Sequence, residues 1–372
     1  MKIKTITCHD VYNYGASLQA YALQQYLTKL GHEVQIIDYF PDYMDVNYRI
    51  RWNKYVIPEV SSLYKIRYIP GIKTLYRIKR SVQKMKFIQE KSGRKKAFDR
   101  FKMQYLHLTS ERYKNIEDLC GAKLNADVFI AGSDQIWNPL FNNGRDPSFF
   151  LQFGEGRKIS YAASFGVSSL SSTDCVNMKR WISSFSKISV REKTGLKLLQ
   201  ELGIKGGVQV PDPVFLLTKE SWRGLASSKF GNEEFVLVYN LGPLMQDIKD
   251  CAQQLAHHHG LKIVAVEELA NISYADMRIT DAGPCEFIEL FTKASYVVTN
   301  SFHATSFSIL FNIPFFSYIK NATSSRITDL LNSCGLEARL NGRDLNADID
   351  WSEVNTKVAA FKEIGIRFLD SI

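Results

Sequence analysis

Residues 2–39 read KIKTITCHDVYNYGASLQAYALQQYLTKLGHEVQIIDY, and this stretch decides the fold class. Residues 2–8 predict a short strand, and residues 18–31 repeat apolar side chains at helical spacing up to Gly31. Residues 33–40 predict a second strand. Strand, loop, helix and strand within about 35 residues form a βαβ unit, whose two strands lie parallel in one sheet. The stretch therefore predicts an α/β protein with helices on the faces of a parallel sheet.

The same pattern repeats downstream and divides into two series. The first series continues with strand-and-turn segments at residues 126–134, 158–166 and 187–195, the last followed by a helix over 194–203. The second series alternates strand and helix over residues 234–242, 250–260, 261–268, 285–294 and 295–303. Two such series predict two Rossmann-like domains that face each other across a cleft, which resembles the GT-B architecture of glycosyltransferases.

The predicted boundary between the two domains lies near residue 205. Residues 1–205 then form the N-terminal domain, with a basic helical insertion at about 48–102, and residues 206–372 form the C-terminal domain. The last segment, residues 353–372, has an amphipathic helical pattern. This final helix suits a cap on either domain, including a return to the N-terminal one.

The composition excludes several classes of protein. A chain of 372 residues that is 45% hydrophobic and 23% charged can bury large cores and is not disordered. No apolar run approaches the roughly 20 residues that cross a bilayer, and the first residues lack the apolar core of a secretory signal. The cysteines are scattered and the run 257–259 (HHH) is typical of a solvated helix end, so no metal site or cofactor is predicted. We therefore expect a cytoplasmic protein.

Residues 48–102 carry most of the positive charge. Here 17 Lys and Arg stand against Glu59, Glu90 and Asp99, a net charge of +14 in a chain whose total is +9. Apolar and basic residues are interleaved, which is typical of an amphipathic segment on an anionic surface. Three interpretations stay open: a solvated face of the insertion, peripheral contact with the inner membrane face or a lipid-linked substrate, and nucleic acid. No helix-turn-helix, RNP or zinc-finger pattern accompanies the charge, so we expect no nucleic-acid partner.

Polar residues follow the first predicted strand. Asn13, Tyr14 and Gly15 lie between that strand and the next helix, where free backbone N–H groups attract a phosphate or carboxylate. The alternative is a turn glycine with an ordinary helix cap. No GxGxxG follows the strand and no GxxxxGK[ST] occurs in the sequence, so dinucleotide-binding and P-loop sites lack support.

A second polar loop, IAGSDQIWNP, follows the strand at residues 126–131. Asp134 is a candidate proton acceptor, and Trp137 offers a flat face for a pyranose ring. The alternative is that Asp134 caps the next helix and Trp137 packs in the core. The candidate binding residues of this loop are Gly132, Ser133, Gln135 and Trp137.

Two further strand ends and one helix start carry candidate residues. Arg191 ends a strand, where its guanidinium could hold a phosphate or carboxylate or form a structural salt bridge. His303 directly follows the strand SYVVT and is equally a structural or a catalytic candidate. Lys320 and Arg326 lie on a loop and a helix start, where each could neutralise an anion or remain solvated.

Taken in order, these blocks resemble the polysaccharide pyruvyl transferase family. They are NYGASLQAYAL (13–23), GSDQIWNP (132–139), YAASFG (161–166), SVREKTG (189–195), VPDPVFLL (210–217), SFHATSFSILFNIPFF (301–316) and SRITDLLNSCGL (325–336). No single block is very specific, but the ordered set spans most of the chain. The resemblance implies a GT-B-like enzyme that transfers pyruvate from phosphoenolpyruvate to a sugar of a surface glycan, such as an exopolysaccharide or capsule, usually as a cyclic ketal.

The resemblance also implies roles for single residues. His303 matches the family's histidine proposed as acid, and Arg191 matches an arginine proposed to hold phosphoenolpyruvate. Many members carry an arginine two residues before that histidine, where this chain has Ser301. We expect Arg326 or Lys320 to supply the missing charge, with N–H groups around Ser301 as further contacts to the donor.

The remaining chemistry needs a base, for which Asp134 is the hypothesis, and it requires no redox cofactor or metal. The acceptor is expected to be a glycan or a lipid-linked oligosaccharide. Two alternatives stay open: a GT-B glycosyltransferase that uses a nucleotide sugar, and a non-catalytic scaffold of glycan assembly held on the membrane by residues 48–102.

Overall fold

The computed structural model describes residues 1–44, 92–267, 272–319, 325–342 and 348–372. Most of the predicted basic insertion and Lys320 therefore lie outside the described residues.

The N-terminal half builds a sheet of five parallel strands in the order β3-β2-β1-β4-β5. The strands are β1 (Lys2–Ile6), β2 (Glu33–Tyr39), β3 (Leu108–Tyr113), β4 (Val128–Ala131) and β5 (Arg157–Ser160). Two short parallel strands, β6 (Ser189–Val190) and β7 (Val208–Gln209), lie beyond β5, and a bridge between Ile159 and Lys187 joins them to it. The helices of this half are α1 (Tyr14–Lys29), α2 (92–105), α3 (Ile116–Gly121), α4 (Ser172–Ile182) and α5 (Lys193–Glu201).

The C-terminal half repeats the arrangement with the order β10-β9-β8-β11-β12, again parallel. Its strands are β8 (Phe235–Tyr239), β9 (Lys262–Val266), β10 (Met277–Ile279), β11 (Ala294–Thr299) and β12 (Phe315–Ser317). Its helices are α6 (Lys219–Leu225), α7 (Gln246–His259), α8 (Pro284–Lys293), α9 (Phe302–Phe311), α10 (Ser325–Cys334) and α11 (Trp351–Asp370). Each sheet therefore has the doubly wound strand order in which ligands bind at the carboxyl edge.

Helix α1 is buried between the two halves. It begins at Tyr14, earlier than the apolar spacing predicts, because Asn13 accepts a hydrogen bond from the Ala16 N–H (3.1 Å) and caps it. Tyr14 stacks on Phe287 of α8 at 4.2 Å, and its hydroxyl donates to the Ala282 carbonyl. The first turns of α1 are therefore packed on several sides, as expected of a helix that is not amphipathic.

The final helix α11 packs on the N-terminal half. Phe368 and Leu369 belong to the same apolar cluster as Ile3, Leu27 and Tyr161. Helix α11 thus crosses back over the first sheet, while the boundary at residue 205 stays a prediction.

A largely buried charge network ties the carboxyl ends of β1, β2 and β3 together. The Nε2 of His9 lies 3.2 Å from Asp38 Oδ1, and its Nδ1 lies 3.2 Å from the Thr7 carbonyl oxygen. Both partners are acceptors, so the doubly protonated ring alone satisfies both contacts. Arg112 donates to Asp38 (3.0 Å) and to Asp10 (2.7 Å). Burial alone would raise the pKa of Asp38, but His9 and Arg112 lower it below its usual value.

We expect Asp38→Asn to lower the free energy of unfolding at pH 7 by about 2 kcal/mol, because it removes the carboxylate that faces His9 and one of the two carboxylates paired with Arg112. The lowered pKa means that this stabilisation is present above the unfolded aspartate's pKa, about 3.9. It is lost as the pH falls through the folded pKa. Urea unfolding at about pH 7 and pH 3 should therefore show the gap between wild type and variant shrinking in acid.

Asp42→Asn is the matched control, because the Asp42 side chain is 87% exposed and lies 3.8 Å from Lys114. It should leave stability unchanged. Equal losses in the two variants would contradict the importance of the network.

Candidate functional site

A cavity of about 150 Å³ lies where the carboxyl edges of the two sheets meet. Its walls come from the loops after β1, β4, β8 and β11 and from the start of α10. The lining residues are Asn13, Asp134, Gln135, Leu241, Asn300, Ser301, Phe302, His303, Arg326 and Ile327. Predicted site residues from both halves of the chain therefore meet in one place.

Asp134 lies at the cavity in an uncommon backbone conformation. Its φ is 72°, in the left-handed region that residues with a side chain rarely adopt. The carbonyl of Asp134 accepts from the Ser164 N–H at 3.0 Å, and the residue forms a bridge to Ala163. The backbone at residues 163 and 164 thus holds the strained turn. Asp134 lines the cavity and does not cap a helix.

Arg191 is buried among three carboxylates. Its Nη1 donates to Asp212 Oδ2 (2.7 Å), its Nε donates to Glu192 Oε1 (3.1 Å), and its Nη2 lies 3.9 Å from Asp134 Oδ1. Burial alone would lower the pKa of Arg191, but the three carboxylates raise it. The salt-bridge interpretation is confirmed. Arg191 does not line the cavity, and its Nη2 is a buried donor without a hydrogen-bond partner in the described part of the chain.

His303 is the second residue of α9 and packs against the start of α1. A Cβ added to Gly15 would lie 1.9 Å from His303 Nδ1, so the two helices approach as closely as glycine allows. On the other side of the ring, Nε2 lies 3.5 Å from Asp212 Oδ2. His303 therefore sits between the cavity wall and a buried carboxylate.

Asp212 is the site residue that the sequence reasoning missed. It belongs to the block VPDPVFLL, where an aspartate between two prolines directly after a strand could have indicated it. It is 1% exposed, and its Oδ2 also accepts from Ser133 Oγ at 3.0 Å. Burial alone would raise the pKa of Asp212, but His303 and Arg191 hold it well below its usual range.

Arg326 supplies a cation to the cavity wall. No ion pair or hydrogen bond of its guanidinium is formed with the residues that the structure describes. Burial and the neighbouring charge of Arg191 lower the pKa of Arg326, against the opposing effect of Glu192, Asp134 and Asp212. Arginine nevertheless stays protonated in proteins, so a positive charge faces the cavity.

Of the remaining predicted binding residues that the structure describes, three line the cavity, and five, including Trp137, do not. Asn13 and Ser301 are the N-caps of α1 and α9, and Gln135 accepts from the Asn138 amide. Besides Trp137, four residues lie outside the cavity lining, and their contact with a ligand stays a prediction. Those four are Gly132, which packs on Thr7; Ser133, which binds Asp212; Tyr14, buried against α8; and Gly15, packed on His303.

The expectation that Trp137 offers a face to a pyranose is wrong. Trp137 is fully buried, stacks on Phe150 at 5.4 Å and donates from Nε1 to the Phe149 carbonyl. The core alternative is therefore confirmed for this residue. The sequence could not show it, because the partner rings come from the segment after residue 146.

The model of the family described as polysaccharide pyruvyl transferase matches residues 13–321, most of the chain. The chain belongs to the polysaccharide pyruvyl transferase family. This is a family of transferases, so the predicted class of enzyme is confirmed. No curated protein sequence matches the chain.

Solved structures show the same fold at low identity. A putative UDP-N-acetylglucosamine 2-epimerase from Listeria monocytogenes is 8% identical, with 99% of this chain and 88% of that chain covered and a TM-score of 0.50. The UDP-GlcNAc 2-epimerase of Methanocaldococcus jannaschii in complex with UDP-GlcNAc and UDP is 12% identical, with coverages of 100% and 99% and a TM-score of 0.47. At these identities the likeness concerns the fold alone, and the predicted GT-B-like pair of Rossmann-like domains is confirmed.

We expect Gly15→Ala to lower the free energy of unfolding by about 2 kcal/mol, because the new Cβ overlaps His303 at the junction of α1 and α9. Gly224→Ala is the control: this glycine also lies in a helix, but a Cβ there would meet open space. The control should be neutral or slightly stabilising. Urea unfolding of the two variants compares them, and equal stabilities would contradict the close contact.

Proposed function

We propose that this transferase moves pyruvate from phosphoenolpyruvate to a sugar of a surface polysaccharide precursor, forming a ketal and releasing phosphate. One observation carries the proposal. The cavity presents a guanidinium that no described residue pairs, an imidazole and a carboxylate, from Arg326, His303 and Asp134. A volume of about 150 Å³ suits a small acid, since drug-sized ligands occupy sites of about 300 Å³ or more.

The donor carries a phosphate and a carboxylate, and the cavity offers matching positive groups. Arg326 contacts the anion directly, and the N-termini of α1 and α9 at Asn13 and Ser301 add backbone N–H groups. Arg191 Nη2 is a further donor behind Phe302, whose ring lies 4.3 Å from the guanidinium carbon. Arg326 thus takes the place of the arginine that many members carry at the position of Ser301.

His303 is the proposed acid. It protonates the methylene carbon C3 of the donor, which leaves an oxocarbenium-like centre at C2. One sugar hydroxyl attacks C2 with Asp134 as base, phosphate leaves, and a second hydroxyl closes the ring. Of the two hydroxyl protons released, one replaces the proton spent on C3 and the other leaves with phosphate. We propose no redox cofactor for this route, because no electrons are exchanged, and no metal, because Arg326 supplies the positive charge that faces the donor.

The proposed acceptor is a glycan precursor, and a lipid-linked one would bring the enzyme to the cytoplasmic face of a membrane. The net charge of +14 over residues 48–102 supports contact with an anionic surface. In the part of that segment that is described, Arg100 is 66% exposed, and just beyond it Met103 is 84% exposed. None of the described helices is long and apolar enough to cross a membrane.

Thermal unfolding with phosphoenolpyruvate tests the donor. We expect stabilisation of the wild type, about 2.7 kcal/mol at a hundredfold excess over Kd. Arg326→Ala should raise the Kd at least about tenfold, because it removes a cation from the cavity wall. Arg367→Ala, with a side chain 78% exposed on α11, is the control and should bind like the wild type.

Nucleotide sugars belong in the same titration. Stabilisation by a UDP-sugar without stabilisation by phosphoenolpyruvate would overturn the proposed donor and favour a GT-B glycosyltransferase. Liposome binding without turnover of any donor would favour the scaffold.

Phosphate release from phosphoenolpyruvate in the presence of acceptor tests the acid. His303→Ala should lower kcat at least about 100-fold, because the C3 proton then lacks its source. His258→Ala, on the exposed end of α7, should leave turnover unchanged. Near wild-type turnover of His303→Ala would refute the assignment, and Asp134→Asn tests the base in the same assay.

A further inference from the structure

The imidazole of His303 has two nitrogens, and a proton donor uses one of them. Nε2 is buried, lies 3.5 Å from Asp212 Oδ2 and has no hydrogen-bond partner within the described ranges. Nδ1 lies on the other side of the ring, in the space that a side chain on Gly15 would fill. The two nitrogens therefore meet different surroundings.

We propose that Asp212 is a positioning residue that holds Nε2 of His303, so that Nδ1 is the nitrogen that gives the proton to the donor. The proposal rests on the pyruvyl transfer proposed above for the choice of acceptor atom. The contact between Asp212 and His303 can be tested without any donor.

Asp212 is held independently of His303. Its Oδ1 accepts from the Val214 N–H (3.1 Å), and its Oδ2 accepts from Arg191 Nη1 (2.7 Å) and Ser133 Oγ (3.0 Å). Pro211, the residue before it, lies against Gly365 of α11, where an added Cβ would be 3.1 Å from the proline ring. The carboxylate of Asp212 therefore has a fixed position, and Nε2 of His303 faces it.

A fixed carboxylate also selects the nitrogen that carries a proton. The charged groups around the ring are Asp212 and Arg191 beneath it and Asp134 and Arg326 along the same cavity. Because His303 and Arg191 keep the pKa of Asp212 well below its usual range, Asp212 is ionised at neutral pH. An ionised carboxylate only accepts hydrogen bonds, so the nitrogen that faces it, Nε2, is the one that holds a proton when the ring has only one.

The proton transfer then balances. Doubly protonated His303 gives its Nδ1 proton to C3 of the donor, and the Nε2 proton stays directed at Asp212 Oδ2. The ring is neutral after this step, and a proton from the attacking hydroxyl, passed through solvent or the base, restores Nδ1. Asp212 is never protonated in the cycle, as for the aspartate that orients a histidine in hydrolytic triads.

Nitrogen-15 NMR of the free protein tests the contact directly. The ring signals of His303 are assigned by comparison with His303→Gln. Asp212→Asn should lower the ratio of neutral His303 protonated at Nε2 to neutral His303 protonated at Nδ1 about tenfold or more relative to wild type, because the charged acceptor that faces Nε2 is lost. Asp174→Asn is the matched control, since Asp174 is another buried aspartate paired with an arginine, Arg145 at 2.9 Å. It should leave the His303 signals unchanged.

The wild type alone provides a second readout should Asp212→Asn fail to fold. Once the ring is neutral, the proton should remain on Nε2, which faces the carboxylate, and nitrogen-15 shifts distinguish the two tautomers. A neutral ring protonated at Nδ1 in the wild type, or an unchanged tautomer ratio in Asp212→Asn, would overturn the proposal. Both results are independent of whether phosphoenolpyruvate is the donor.

Turnover separates positioning from simple support of the fold. Asp212→Asn should lower kcat about 100-fold or more with a smaller change in KM for the donor, because the acid is misplaced. Glu192→Gln removes a partner of Arg191 that has no contact with the ring, so it should leave the His303 spectrum at its wild-type tautomer ratio. A matching spectral change in Glu192→Gln would overturn a specific role for Asp212.

Discussion

The buried ion pair between Arg191 and Asp212 is the contact on which the arrangement of the site depends. Both side chains are nearly inaccessible, and removing one partner from such a pair typically costs about 3–5 kcal/mol, because an uncompensated charge is left behind. The pair joins the end of β6 to the link between the two halves. Ser133 from the first sheet and His303 from the second meet the same carboxylate oxygen. The loops of both sheets are therefore set in place by one buried charge.

Helix α1 provides the second constraint, because it is shared by both halves. Stacking of Tyr14 on Phe287 and the contact of Gly15 with His303 bring the N-termini of α1 and α9 together. Two helix N-termini beside one small cavity are a favourable place for an anion, whatever its identity. The GT-B-like fold puts a cleft between the two sheets. The close contacts of α1 narrow this cleft to a cavity of the size of a small ligand.

Local patterns predicted the fold well, and tertiary contacts limited the prediction of the site. The βαβ periodicity is local, so the order of strands and helices followed from the sequence, and Asp134 and His303 were found because strand ends in parallel sheets share an edge. Trp137 was misassigned because its burial depends on Phe150, and nothing in its own loop shows that packing. Asp212 was missed because its partners at 133, 191 and 303 are distant along the chain. Arg191 was predicted as a site residue, but two of its three carboxylate neighbours, Asp134 and Asp212, are distant along the chain and could not be recognised as its partners.

The balance of charge decides which cation could hold the proposed donor. Asp134, Glu192 and Asp212 face the cations Arg191 and Arg326, so with a neutral His303 these side chains carry one excess negative charge. Arg191 is already paired with Glu192 and Asp212, whereas Arg326 lies on the cavity wall. In the proposed reaction, binding of the anionic donor would therefore depend on Arg326, and Arg191 would serve mainly to hold Asp212 in place.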